Sequence, residues 1–199
     1  MSRKPYDPKV YSLEHWKKAT KTPKDRRANR GKSWEREVEA SLHLYQRTGK
    51  VDVWFRCHPE LQITRSHPGG KIEGFIKGNG PPDFVIAVKG GPVLLVDAKD
   101  CKQDRFGLDN IKRHQCDRFR DWDTDPMRVA GLLLRFHGRR FLVPWRPLEA
   151  LVDRWTMSRA KNGRAAPGTA SLSIQQVQEL GLPYDESGWV GPLLGWWGR

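Results

Sequence analysis

"PPDFVIAVKGGPVLLVDAKD" (residues 81–100) contains two apolar runs joined by Lys89-Gly90-Gly91. Runs this rich in Val, Ile and Leu, bounded by Pro and Gly, read as two strands of a hairpin. We place them at "DFVIAV" (83–88) and "PVLLVDAK" (92–99). Continuous apolar strands belong inside a sheet, where an unpaired charge is costly. Yet Asp83 opens the first strand, and Asp97 and Lys99 close the second. Side chains alternate along a strand, so Asp97 and Lys99 share one face and Ala98 takes the other.

Whether Asp83 joins that face depends on the loop. A two-residue Gly-Gly loop would pair Lys89 with Pro92 and set Asp83 opposite Ala98, away from Asp97. A three-residue loop, Lys89-Gly90-Gly91, pairs Val88 with Pro92 and sets Asp83 directly across from Asp97, with Cβ atoms about 4.5–5.5 Å apart. Three-residue loops end in a left-handed glycine, and Gly91 suits that position. The expected register is therefore the one that brings the two aspartates together. Carboxylates that close repel unless a cation lies between them. Oxygen-only donors favour Mg²⁺, with Mn²⁺ as a substitute.

Outward from this hairpin, Trp34, Val38, Leu42 and Tyr45 recur at helical spacing, which predicts a helix from Ser33 to about Gln46. Glu35 and Glu39 sit beside that stripe. "VDVWF" (51–55) alternates as a strand. "LQITR" and "KIEGFIK", separated by "SHPGG", form a polar hairpin. Residues 106–122 read as one helix with Leu108, Ile111, Gln115, Phe119 and Trp122 on one face; Gln115 is its odd polar member. "VAGLLLRF" and "RRFLVP", joined by His137-Gly138, make a further hairpin. Pro147 starts a helix to about Met157, and "KNGRAAPGTA" is a loop. "SIQQ" (173–176) is a capping box for a short last helix closed by Gly181. Trp189, Trp196 and Trp197 in the tail read as packing residues. Helices alternating with strands make an α/β fold with a mixed central β-sheet.

The 199-residue chain carries 36 Lys and Arg against 23 Asp and Glu, a net charge of +13. Residues 1–32 alone hold eleven of the basic residues and three acids, so the charge is concentrated in a basic N-terminal arm (1–28) that either is solvated or lies along phosphates. The surplus points to a polyanion, nucleic acid before anionic membrane. Mean hydropathy is −0.72, and no apolar run approaches the roughly 18 residues of a membrane span. No hydrophobic stretch follows the first basic residues, so a secretory signal is not expected. Three cysteines make no even disulfide framework and match no common zinc spacing, which suits a reduced, cytoplasmic setting.

Proline-aspartate, thirteen residues, then Asp-x-Lys, on one apolar hairpin of a basic protein, resembles the PD-(D/E)XK nuclease superfamily. Within it the chain is similar to the RecU-type Holliday junction resolvases. That likeness runs from "NRGKSWE" (29–35) through the hairpin and "FGLDNIKRHQ" (106–115) to "LLLRFHGRRFLVP" and the "KNGR" loop, over most of 29–190. It implies a restriction-endonuclease-like fold over 29–199, with a protruding β-hairpin stalk at about 57–80 that enters a junction centre. It also implies a homodimer and Mg²⁺-dependent paired symmetric nicking of four-way DNA junctions, leaving 5′-phosphate and 3′-hydroxyl ends, in the cytoplasm of a bacterium or a phage-infected host. Asp97 stands where the family more often has Glu, and prolines precede Asp83 where hydroxyl residues are common.

On that resemblance the catalytic set is Glu35, Asp83, Asp97, Lys99 and Gln115. Asp83, Asp97 and Glu35 are the metal ligands, with the Ala98 carbonyl as a further oxygen. Lys99 adjoins the attacking water and scissile phosphate. Gln115 holds the nucleophile or the catalytic strand. Candidate DNA contacts are Arg30, Lys32, Arg56 and Arg105, with Arg65, Lys71, Phe75 and Lys77 on the stalk. Two alternatives stay open: another endonuclease of the superfamily, of restriction or repair type, and a non-catalytic DNA-binding protein.

Overall fold

A computed structural model describes residues 32–59, 61–66, 72–76, 80–162, 170–184 and 188–198. The arm over 1–28, Arg30, Lys71, Lys77 and the side chain of Phe75 lie outside the described residues, as does most of the "KNGRAAPGTA" loop. In chain order the elements are α1 (Lys32–Arg47), β1 (Val51–Arg56), β2 (Leu61–Ser66), β3 (Ile72–Ile76), β4 (Phe84–Val88) and β5 (Val93–Cys101). Then follow β6 (Phe106–Gly107), a 3₁₀ turn (Leu108–Asn110), α2 (Arg113–Trp122), β7 (Arg128–Phe136) and β8 (Arg139–Pro144). The chain continues with α3 (Trp145–Asn162), β9 (Ser171–Leu172), α4 (Ile174–Leu180), β10 (Leu182–Pro183) and α5 (Val190–Trp197).

Six strands form one mixed sheet in the order β1-β4-β5-β7-β8-β10. Only β5 and β7 run parallel; the connection between them carries α2, as a parallel crossover requires. The central strands are buried on both faces. Leu94, Val96 and Ala98 of β5 pack with Trp34, Val38 and Leu42 of α1 and with Trp189 and Leu193 near the C-terminus. Leu95 and Cys101 face the other way, into a second cluster with Phe119 of α2, Trp145 and Leu148 of α3, and Val177 of α4. The sheet thus separates two apolar layers, and a residue's parity on β5 decides which layer it meets.

The β4–β5 register is the one expected. Phe84 pairs with Val96 and Ala87 with Val93, which carries Asp83 opposite Asp97. The loop achieves this differently from expectation. Gly91 N–H donates to Val88 O at 3.1 Å, and the left-handed residue is Gly90, at φ +66°, not Gly91. Gly91 lies close under α5: a Cβ there would come within 2.5 Å of Leu194 Cδ2, and that side chain would have to move.

Two boundaries differ from the sequence reading. The helix expected over 106–122 begins only at Arg113. Phe106 and Gly107 are instead drawn into a ladder with Leu172 and Ser171, and the 3₁₀ turn follows. The apolar period continues through the break because Leu108, Ile111 and Phe119 all enter the same core. The helix expected to start at Pro147 starts at Trp145, so the proline lies within its first turn, where its missing N–H costs no bond. Ser173 and Gln176 form the expected capping box. The tail tryptophans are packing residues: Trp189 is fully buried edge-on to Tyr45, and Trp197 Nε1 donates to Pro126 O at 2.7 Å. β2 and β3 pair with each other and with no strand of the main sheet, which is the separate hairpin the sequence indicated.

Candidate active site

At the end of β5 the apolar run meets its charges. Asp97 is 2% exposed, on the α2–α3 face of the sheet. Its Oδ1 accepts from Gln115 Nε2 at 2.6 Å. Its Oδ2 forms an ion pair with Lys99 Nζ at 2.5 Å. Burial pushes the Asp97 carboxyl up, Lys99 pulls it down, and the negative charge of Glu35 adds to the rise.

Asp83 reaches the same place from the neighbouring strand. Its Oδ2 accepts from the Ala98 N–H at 2.8 Å, which ties it to the strand segment between Asp97 and Lys99. Burial, then the charge of Asp97, push its carboxyl up to about 6, against the pull of the Ala98 N–H, Lys99 and Arg56. Asp97 is buried and Asp83 half-buried, and burial raises both carboxyls on one face despite Lys99. A cation with oxygen ligands fits that donor set.

Gln115 has two tasks. Its Oε1 accepts from the Lys112 N–H at 3.0 Å, half of the capping box that starts α2. Its Nε2 holds Asp97. Lys99 Nζ also donates to Gln115 Oε1 at 3.4 Å. The start of α2 and β5 therefore share one amide. Gln115→Leu keeps the volume but removes both functions. It should lower the cleavage rate about 10–100-fold, the usual range for a residue that orients a ligand. It should also destabilise the fold by about 1–2 kcal/mol through the lost cap. Single-turnover rates and thermal unfolding read the two effects separately, and an unchanged rate would reduce Gln115 to a cap.

Glu35 approaches from α1, close enough for its charge to act on Asp97, and it ion-pairs with Arg56, whose own charge acts on Asp83 and which also holds Glu39 Oε1 at 2.5 Å. Among the described residues no group of three His, Cys, Asp or Glu side chains is close enough to hold a metal. Asp83 and Asp97 converge; Glu35 influences Asp97 by charge but is bound to a guanidinium.

Several proposed DNA contacts have protein partners. Arg56 is committed to Glu35 and Glu39. Arg105 donates to Ser171 Oγ at 2.7 Å and Ser171 O at 2.9 Å, which pins β9 beside β6. Lys32 is exposed at the start of α1. Arg65 is exposed on β2, paired in register with Glu73. Phe75 lies on β3 opposite Gln62.

One network escaped the sequence reading. Asp100 faces away from Asp97, toward α1, and takes Arg135 of β7 at 2.9 and 2.8 Å. Arg135 also reaches Ser33 Oγ at 3.0 Å, pairs with Glu37, and lies over the Trp34 ring at 5.2 Å. Trp34 Nε1 in turn donates to Leu133 O at 2.7 Å. These contacts lock the first turns of α1, which carry Glu35, onto β7. The final Asp of "DAKD" and the Arg of "LLLRF" were the available signal, but only parallel pairing of β5 with β7 puts them opposite one another.

No helix among the described residues is long and apolar enough to cross a membrane. No curated protein matches the chain. A family model described as RecU, recombination protein U, matches residues 29–184. That span takes in the first helix, the β4–β5 hairpin with Asp83, Asp97 and Lys99, and Gln115, so the chain belongs to the RecU family of Holliday junction resolvases.

Proposed function

We propose that this protein is a divalent-metal-dependent endonuclease that resolves four-way DNA junctions by paired symmetric nicks, acting as a homodimer. The observation that carries the reading is the convergence of Asp83 and Asp97 on one sheet face with Lys99 paired to Asp97. A decayed nuclease fold that only binds DNA has no need of two raised carboxylates, one buried and one half-buried, on one face.

Asp83 and Asp97 would hold Mg²⁺, or Mn²⁺ in its place. Mg²⁺ is bound by one or two carboxylates while keeping several waters, so two carboxylates and the Ala98 carbonyl suffice without a third acid. Bound there, the ion supplies a Lewis acid for the phosphoryl oxygen and acidifies a water. Lys99 offers a fixed positive charge where negative charge builds on the scissile phosphate. Its ion pair with Asp97 and its contact with Gln115 hold that ammonium in place. Glu35 is available as a further carboxylate once Arg56, which Glu39 also holds, releases it.

A four-way junction is roughly two-fold symmetric, and two matched nicks require two sites at fixed separation, which a C2 dimer supplies. β1 is an edge strand with Phe55 61% and Val53 39% exposed, and Leu44 of α1 is also exposed. The exposed Val53 and Phe55 on that edge strand support docking of a second copy.

The test is cleavage of a labelled four-way junction and a linear duplex of the same sequence with Mg²⁺ or Mn²⁺. The junction should be cut in symmetric pairs while the duplex stays largely intact. Equal rates on both would favour a general endonuclease, and binding without cutting under either ion would remove the enzyme reading.

A further inference from the structure

Beside the carboxylates lies a cleft of about 470 Å³ whose walls include Lys99, Lys102, Phe106, Asn110 and Lys112. It shares Lys99 with the active site, while Asp83 and Asp97 are not among its walls. Its charge is positive. The one acid on its lining, Asp100, is committed to Arg135 on the far side of the sheet. Among the described residues Lys112 Nζ is engaged only by a backbone carbonyl, donating to Asp109 O at 2.9 Å. Lys102 makes no ion pair or hydrogen bond among the described residues and is exposed.

We propose that this cleft is the subsite for the phosphodiester adjoining the one that is cut, with Lys102 and Lys112 gripping its oxygens. This rests on the endonuclease reading above and adds where the flanking strand lies. The chemistry matches: ammonium groups on flexible stems are suited to phosphate as point charges, and backbone contacts set the register of a nucleic acid without reading its sequence. Lys112 is also wired to the reaction centre. Its N–H is held by Gln115 Oε1, and Gln115 Nε2 holds Asp97. A strand seated on Lys112 is thereby placed relative to the catalytic carboxylate through one side chain.

The experiment measures junction affinity in chelator across a salt series, and single-turnover cleavage in Mg²⁺. It compares wild type, Lys102→Ala, Lys112→Ala, Lys112→Arg and Lys89→Ala. Lys89 is exposed at the opposite end of β5 and serves as a control of equal charge change. Each cleft variant should flatten the plot of log affinity against log salt by about 1 per bound protomer. Lys89→Ala should keep the wild-type cleavage rate at saturating protein, and the cleft variants should show their loss first in affinity. Lys112→Arg should restore the slope, and Lys89→Ala should not change it. Unchanged slopes in the cleft variants, or equal flattening by Lys89→Ala, overturn the subsite while wild type still cuts. A wild type that neither binds nor cuts junctions overturns the endonuclease reading, and the subsite with it.

Discussion

Asp97→Asn should lower cleavage of four-way junctions by roughly 10³-fold or more while leaving their affinity within about threefold of wild type. The substitution keeps the shape of the side chain. Asn Oδ1 can still accept from Gln115 Nε2, so the link between α2 and β5 survives. The other end changes sign in effect. An amide NH₂ would face Lys99 Nζ, donor against donor, where a carboxylate oxygen now lies 2.5 Å away. Lys99 loses the charge that holds it, and any cation loses a ligand. Binding should survive because Asp97 is buried and negative, and phosphate contacts come from basic groups at the surface. Gel-shift affinities in chelator and single-turnover rates in Mg²⁺ separate the two effects. A variant that cuts at the wild-type rate would remove Asp97 from the chemistry altogether.

Asp83→Asn should also abolish cutting, and in the absence of metal it should make the protein more stable at pH 7. The Asp83 carboxyl titrates near 6 in the fold, against about 3.9 in an unfolded chain. The folded state therefore binds this proton more tightly. The ionised group costs stability in full above pH 6, and the cost fades as pH falls from 6 toward 4. With part of the side chain open to solvent, the penalty at pH 7 is about 1–3 kcal/mol. Asparagine removes it and can still accept from the Ala98 N–H. For a chain of this length each kcal/mol shifts Tm by about 2–4 °C. In chelator, wild type minus variant should thus be negative at pH 7 and shrink toward pH 5. Mg²⁺ should reverse the order by binding the ionised wild type and raising its Tm, with little effect on the variant. Equal stabilisation of both proteins by Mg²⁺ would place the ion elsewhere.

The site and the fold were legible to different depths. Parity on the β4–β5 hairpin followed from a loop of three residues, because alternation is a local property of extended chain. That prediction survived although the left-handed glycine is Gly90 and not Gly91. The error did not propagate, since loop length and not the identity of the strained residue sets the register. The first helix was read nearly to the residue because Trp34, Val38, Leu42 and Tyr45 are all buried on one side. The helix over 106–122 was overextended. Its apolar period is genuine, but Phe106 and Gly107 find their strand partners in Leu172 and Ser171, far along the chain. Nothing local announces such a partner.

Charge partners were the least legible. Arg56 read as a free basic residue, yet the fold sets it against Glu35 and Glu39 from α1. Arg105 read the same way and is bound to Ser171. A cation's availability depends on which acids or carbonyls come within a few ångströms, and that is a matter of chain crossing. By itself, then, the sequence determined the secondary elements, the parity that unites Asp83, Asp97 and Lys99, and the basic character of the protein, because these depend on neighbours in the chain. Tertiary structure alone decided that Glu35 is held by Arg56, that Gln115 joins the start of α2 to Asp97, and that Asp100 turns from the site to Arg135. Those contacts depend on which face of a sheet each helix covers, and burial then gives each charge its partner.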